Sequence, residues 1–320
     1  MPVQDDELRL MARVARLYYN EGVRQPDIAR RLGLSQPRVS RLLKRALASG
    51  LVRITVLPVP GVNADLEDEL QHRYGLSSAI VIDVTADSEL LRCLGAAAAY
   101  HFETSLQPGT LVGVSSRSAS LLAAVEALRP VQGRPGIRVV QMLGGIGDPG
   151  MTAQANRLTE LFAARVGGAA YYLASPAVVA SAAAARALRA DAFVASTMQL
   201  YQHLDVAVVG IGALGPETLR ARSNGGIERA ELEDLVSRGA VGDVCLRFFD
   251  RAGRPVRAAF SDRVVGIDLD QLRKVPRCIA VAGGQAKADA IRGALLAGVL
   301  AELVIDRDTA ELLLADRSPR

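Results

Sequence analysis

The chain has 320 residues, 50% of them hydrophobic, with 38 Lys+Arg against 34 Asp+Glu and a net charge of +4, enough for a small domain beside a large one with a sizeable core. No run of about 20 apolar residues suggests a membrane span, and the start MPVQDDELRL lacks the basic flank and apolar core of a secretion signal, so the cytoplasm is the expected compartment. Cys93, Cys245 and Cys278 are odd in number and far apart, as are His72, His101 and His203, which argues against a disulfide framework, a metal cluster or any bound cofactor.

The first expected element is a helix over residues 6–20 with Leu10, Val14, Leu17 and Tyr18 on its apolar side. A short helix follows over 26–32, with Ile28 and Leu32 inward and small Ala29 where two helices would cross. Gly33 permits a left-handed turn. Ser35 then caps a third helix, Pro37 suits its first turn and Gly50 ends it. Val39, Leu42, Leu43 and Ala46 form the buried stripe of this helix. Gln36, Arg38, Ser40, Arg41, Lys44 and Arg45 lie away from that stripe. A basic face alone is ordinarily a solvated face. Here it follows a helix and a glycine turn at helix-turn-helix spacing, and LVRITV at 51–56 reads as a strand, a small wing.

Charge follows the same division. Residues 1–57 hold 11 Lys+Arg and 5 Asp+Glu, so the basic surplus of the whole chain sits in this segment. That is the electrostatic footprint of a module for double-stranded DNA. Gln36, Arg38, Ser40 and Arg41 are the expected base-facing residues and Lys44 and Arg45 the phosphate contacts, with Gln25 and Ser35, at the helix starts, completing the DNA-facing set.

Residues 1–57 are therefore expected to form one domain, 58–65 a linker rich in proline and glycine, and 66–320 a second domain. Apolar strands are expected at 79–84, 110–114, 137–143, 169–173, 206–211, 241–249, 278–282 and 303–305, interleaved with helices at 64–75, 90–104, 120–128, 153–166, 177–190 and 286–297. Continuous apolar strands between amphipathic helices indicate an α/β domain whose mostly parallel sheet is covered on both faces. In such sheets ligands bind beyond the carboxyl ends of the strands.

Those ends carry the candidate chemistry. VGVSSRSAS places Ser115, Ser116, Arg117, Ser118 and Ser120 between a strand and a helix start, a setting that favours an anion such as phosphate. Gly144, Gly145 and Gly147 follow the next strand, Gly210, Gly212 and Gly215 another, and Gly283 and Gly284 a fourth, where a helix then carries Lys287, one of three lysines in the chain. GIGALG at 210–215 matches a dinucleotide-binding fingerprint in letters, but Pro216 follows at once and no acidic strand end lies about 20 residues on.

The helix-turn-helix QPDIARRLGLSQPRVSRLLKRALASGLVRITV, with QMLGGIG, GIG, GDVCLRFFD, RVVGIDLDQLRKVP and AVAGGQAKADAIRGAL in order after it, resembles the SorC family of bacterial sugar-responsive transcriptional regulators over nearly the whole chain. The resemblance implies a winged DNA-binding domain and an effector domain of the sugar-phosphate isomerase-like, Rossmann-like fold. It implies operator DNA and a phosphorylated sugar or related metabolite as partners, no membrane, and a homotetramer built as a dimer of dimers. It also implies that loops 113–120, 144–145 and 210–212 line the effector pocket, joined by Asp243 and Lys287; Gly284, at the fourth strand end, completes the expected effector set. The family commonly reads G-V-S-W-G-x-T-L at the phosphate loop. Here the loop is GVSSRSASL, one residue longer, with Ser116 for the tryptophan and Arg117 for the glycine. An unphosphorylated polyol effector, and a sugar-phosphate isomerase-like enzyme with Asp243 as base, are the alternatives. Fold alone does not decide between enzyme and regulator.

Overall fold

A computed structural model of the chain describes residues 2–52, 63–115, 118–130, 135–145, 149–215 and 227–315. The chain divides into two compact units, Met1–Pro58 and Val59–Arg320. Most of the expected wing strand at 51–56 and of the linker lies on residues 53–62, outside the described residues.

The first unit holds α1 (Pro2–Ala15), α2 (Gln25–Leu32) and α3 (Gln36–Ala48). The expected helix at 6–20 changes pitch: Arg16–Asn20 is a π-helical turn. Its buried side is Met11, Val14 and Ala15, whereas Tyr18, past the change of pitch, is exposed and meets Tyr19 edge-on. Gly33 adopts φ 64° and donates its N–H to the Ala29 carbonyl, closing α2 with the left-handed residue that glycine accommodates without strain. Ser35 holds the extended cap conformation of α3, but its hydroxyl makes no capping hydrogen bond, contrary to expectation. Ile28, Ala29, Val39, Leu42, Leu43 and Ala46 complete the core of this unit.

The second unit is built on a seven-stranded parallel sheet in the order β1-β10-β9-β5-β2-β3-β4. Its strands are β1 (Ser78–Ile82), β2 (Leu111–Val114), β3 (Arg138–Gln141), β4 (Ala169–Tyr171), β5 (Val206–Val209), β9 (Arg277–Val281) and β10 (Glu302–Asp306). The central strands are apolar on both faces because both are covered. Val206 and Val208 of β5 enter one core with α5 (Leu90–Ser105), α6 (Ala119–Ala127) and α7 (Pro149–Val166). Ala207 and Val209 enter the other, which includes Leu70 of α4 (Ala64–Tyr74), Ile291 of the helix Ala288–Leu296 and Leu313 of the helix Arg307–Ala315. Ahead of α4, Asn63 is buried; its side-chain amide donates to the Val81 carbonyl (2.8 Å) and its side-chain oxygen accepts from Arg307 Nε (2.9 Å).

Three expectations are corrected. The run at 241–249 is two strands, β7 (Ala240–Val244) and β8 (Arg247–Asp250), which join the short β6 (Gly212–Ala213) in an antiparallel sheet. Between them Cys245 (φ 51°) and Leu246 (φ 59°) make a two-residue turn closed by the pair Val244↔Arg247. The helix expected at 177–190 begins at Ala182 (α8, Ala182–Ala190), because Ala177 and Val178 are spent on bridging contacts with the 264–265 segment. Helices Arg229–Ser237 and Arg307–Ala315 appear where none was expected. Among the described residues no helix is long and apolar enough to cross a membrane.

At the amino ends of the strands, Glu302 is buried between His101 (2.5 Å) and Arg277 (2.6 Å). Burial raises its pKa, but hydrogen bonds from His101 and Arg277 outweigh that and bring it to about 2. An unfolded glutamate titrates near 4.3. The pair therefore stabilises the fold above that pH, and the contribution is lost as pH falls from about 4 toward 2. Glu302→Gln is expected to lower neutral-pH stability by roughly 2–4 kcal/mol and to flatten the stability profile in that acid window. Denaturant unfolding as a function of pH reads both effects. An unchanged acid profile in the variant would refute the assignment.

Candidate functional site

From β2 the chain continues to β3 on one side, whereas the next strand of this sheet after β5 is β9, on the other. The loops leaving β2 and β5 diverge, so the order reverses between these neighbours. A crevice at the carboxyl ends of such a pair is where open α/β sheets take ligands. Of the residues singled out from the sequence, Ser115, Gly210, Gly212 and Asp243 line one cavity here, with Ser118 and Lys287 close to it.

Ser115 ends β2. Its N–H donates to the Val208 carbonyl (3.0 Å), and its Oγ accepts the Gly210 N–H from the neighbouring loop (3.1 Å). Ser118 caps α6, its Oγ accepting the Leu121 N–H (3.2 Å). Each hydroxyl spends an acceptor site on backbone and keeps its own proton to donate. Ser120 is buried in the first turn of α6. Gly210 is required by contact: a Cβ there would collide with the Ser118 side chain. Gly144 meets the same constraint against the Ser175 carbonyl. The N–H groups of Gly144 and Gly145 are taken up by the carbonyls of Val265 (3.3 Å) and Ser175 (2.9 Å), so these glycines serve close packing of the cleft wall. Ser116, Arg117 and Gly147 lie outside the described residues.

The opposite wall comes from the small antiparallel sheet. Gly212 of β6 pairs with Asp243 of β7. Asp243 is buried, and its Oδ2 accepts the Leu246 N–H (3.1 Å), which helps hold the left-handed turn Cys245–Leu246. Two successive non-glycine residues in that region cost of order 1–2 kcal/mol each. Ser115, Leu143, Gly210, Gly212, Asp243, Cys245 and Leu246 together line one small cavity. Leu143, Cys245 and Leu246 were not foreseen. The turn carries neither Asn nor Gly, the usual marks of a two-residue hairpin. Burial, then Asp243, push the Cys245 thiol up to about 12, so it stays protonated and acts as an apolar wall. Lys287, at the start of the helix after β9, brings its ammonium to the Ile211 carbonyl beside the cavity (3.3 Å). Gly284 instead turns its N–H to Asp306 Oδ2 (2.8 Å) and has φ 94°; it shapes the loop that carries Lys287.

In the first unit, Ser35, Gln36, Arg38, Arg41, Lys44 and Arg45 are exposed, while Gln25 and Ser40 are half-buried. Arg45 is already engaged: its Nη1 lies 2.6 Å from Glu7 Oε1 on α1. The Arg45 hydrogen bond and charge hold the Glu7 carboxyl below its usual range. Among the described residues no ion pair engages Arg38, Arg41 or Lys44.

Residues 60–315 match the Sugar-bind family model, a sugar-binding domain, and residues 14–60 match the MarR family. The transcriptional regulator LsrR of Klebsiella pneumoniae subsp. pneumoniae is 35% identical over 97% of this chain and 94% of its own. The deoxyribonucleoside regulator of Bacillus subtilis is 32% identical over 97% and 99%. The crystal structure of the full-length sorbitol operon regulator SorC from Klebsiella pneumoniae superposes with a TM-score of 0.72 at 30% identity, covering 97% of this chain and 99% of that one.

The crowding at Gly210 yields a contrast. Gly210→Ala is expected to destabilise the fold by roughly 1–3 kcal/mol, while Gly215→Ala, with open space around the added methyl, leaves it unchanged. Thermal unfolding of the two variants reads the difference at roughly 2–4 °C per kcal/mol. Equal midpoints would show that Ser118 yields freely.

Proposed function

Because the chain belongs to the SorC family of sugar-binding transcriptional regulators, we propose that it reads operator DNA through α3 and answers to a phosphorylated sugar held at the β2/β5 crevice. It is a DNA-binding transcriptional regulator with a sugar-binding domain and not an enzyme. The isomerase alternative falls with that.

The observation that carries the effector reading is the convergence on one crevice of serine hydroxyls with protons to donate, the start of α6 and the Lys287 ammonium. A phosphate needs donors and positive charge, and a helix start supplies both. The buried Asp243 carboxylate on the far wall suits the hydroxyls of a sugar. A polyol without phosphate remains the second reading. It is favoured by the departure from the family's phosphate loop at Ser116 and Arg117, and by likeness to a sorbitol operon regulator.

One recognition helix reads few base pairs, so a symmetric oligomer matching a two-fold operator is the natural form. Tyr171 (39% exposed) on the edge strand β4, Tyr172 (40%) and Phe193 (80%) offer apolar surface for such contacts in the second unit. We take the assembly to be a homotetramer, a dimer of dimers, working in the cytoplasm where the operator is.

Two outcomes are expected. In calorimetry, removing the phosphate from the best ligand should weaken binding at least tenfold, about 1.4 kcal/mol. Lys287→Ala should lose affinity while ligand-free DNA binding survives. Equal binding of the sugar with and without phosphate would establish the polyol reading instead. In anisotropy titrations over a range of salt, Arg41→Ala should relax sequence preference, and Lys44→Ala should weaken all sequences alike, lowering the salt slope by about 1. Glu7→Gln should do the reverse of Lys44→Ala, because it releases Arg45 for phosphate. Unchanged affinity in Glu7→Gln would place Arg45 away from the DNA.

A further inference from the structure

Behind the Cys245–Leu246 turn lies a second and larger cavity, about 380 Å3 in volume. That is within the usual range of small-molecule sites. Leu246 borders both this cavity and the one at the crevice, so the two share a wall at that residue. Three arginines line it: Arg189 of α8, Arg247 of β8 and Arg257 beyond β8.

Their hydrogen bonds show what is committed. Arg247 gives Nε to the Ile267 carbonyl (2.9 Å), Nη1 to Ser261 (3.3 Å) and Nη2 to Gly266 (3.2 Å). Arg189 gives Nη2 to the Val264 carbonyl (2.5 Å). These bonds fasten the 261–267 segment, and all go to neutral carbonyls. An arginine has five N–H donors, so both retain spare ones. Arg257 is exposed and makes no hydrogen bond or ion pair among the described residues. Three acids also line the cavity: Asp270 pairs with Arg273 (2.6 Å), Asp268 accepts the Gln271 N–H through Oδ1 (2.8 Å) and keeps its charge, and Asp262 stands beside them. Burial lowers the Arg247 pKa, Asp268 raises it, and Arg189 and Arg257 lower it further. Among the described residues none of the three arginines is hydrogen-bonded to a carboxylate, and with Asp270 engaged by Arg273 they outnumber the two remaining acids, Asp262 and Asp268.

We propose that this cavity is a second ligand site, distinct from the β2/β5 crevice, for a small metabolite bearing an oxyanion, phosphate or carboxylate, bound by Arg257 with the spare donors of Arg189 and Arg247. Charge-assisted, bidentate arginine bonds are the strong form of oxyanion recognition. Because Leu246 is a shared wall, a ligand here presses on the same turn that closes the crevice.

The test is calorimetric titration of the full chain with inorganic phosphate and, separately, malonate, ionic strength being held constant with chloride. Arg257→Gln removes the uncommitted cation, and Lys287→Gln reports on the crevice. Saturable binding is expected in the wild type, weakened at least tenfold by Arg257→Gln and kept by Lys287→Gln. The tighter of the two probes names the anion class. The proposal is overturned if neither probe binds saturably, if Arg257→Gln binds as the wild type does, or if Lys287→Gln alone abolishes binding. It is also overturned if light scattering shows that Arg257→Gln changes the oligomeric mass with phosphate affinity unaltered, since the arginine would then belong to a contact between copies.

Discussion

The organising constraint is the reversal of strand order between β2 and β5. Parallel strands need long crossovers, and the two crossovers that leave these neighbours depart in opposite directions. At such a reversal the backbone groups at the carboxyl ends find partners in the loops. Ser115 supplies one by accepting the Gly210 N–H across the gap. The rest of the site follows from that bridge. Gly210 has to lack a side chain so that Ser118 can cap α6 beside it. The β6–β8 sheet closes the opening from the other side, with Asp243 buried on its strand β7.

Charge is used differently in the two units. On α3 it is laid out toward solvent, where the field of a polyanion is met without any burial cost, and among the described residues only Arg45 is tied to an acid. In the second unit the informative charges are buried or half-buried and held by specific donors, as at Glu302 between His101 and Arg277. Exposed pairs of the first kind contribute little to stability, while buried ones are costly to break. The basic surface of the first unit is therefore not tied to the stability of the fold, whereas the buried pairs of the second are bound to it.

Much of this was legible in residue order. The helix-turn-helix announced itself through Ala29, Gly33 and Val39, because two crossing helices and a left-handed turn leave few choices at those positions. The strands were legible as apolar runs, and their glycine-rich ends marked the crevice. What stayed hidden did so for physical reasons. The hairpin at Cys245–Leu246 is invisible because burial and the Asp243 carboxylate, three residues before Leu246, hold a backbone that neither residue prefers. The alanine-rich stretch before α8 has helical propensity, but Ala177 and Val178 are claimed by long-range bridges to the 264–265 segment. Tyr18 was misjudged because a π-helical turn breaks the 3.6-residue period on which the inference rested. Gly144, Gly145 and Gly284 were placed in the right loops, yet their N–H groups turn out to be occupied by the protein itself.

The pairing of β1 with β10 sets a timetable for biosynthesis. Ser77, just before β1, bonds to Ala301, 224 residues later. At roughly 5–20 residues per second, a ribosome needs about 10–45 s to make that span. The helix-turn-helix has only local contacts to make and can close early in that interval. The sheet of the second unit cannot close until β10 has emerged, because β10 sits between β1 and β9. For that interval each nascent chain presents a DNA-reading module with no effector domain yet formed to govern it, and β1 waits with an open edge that only the last strand of the sheet can fill.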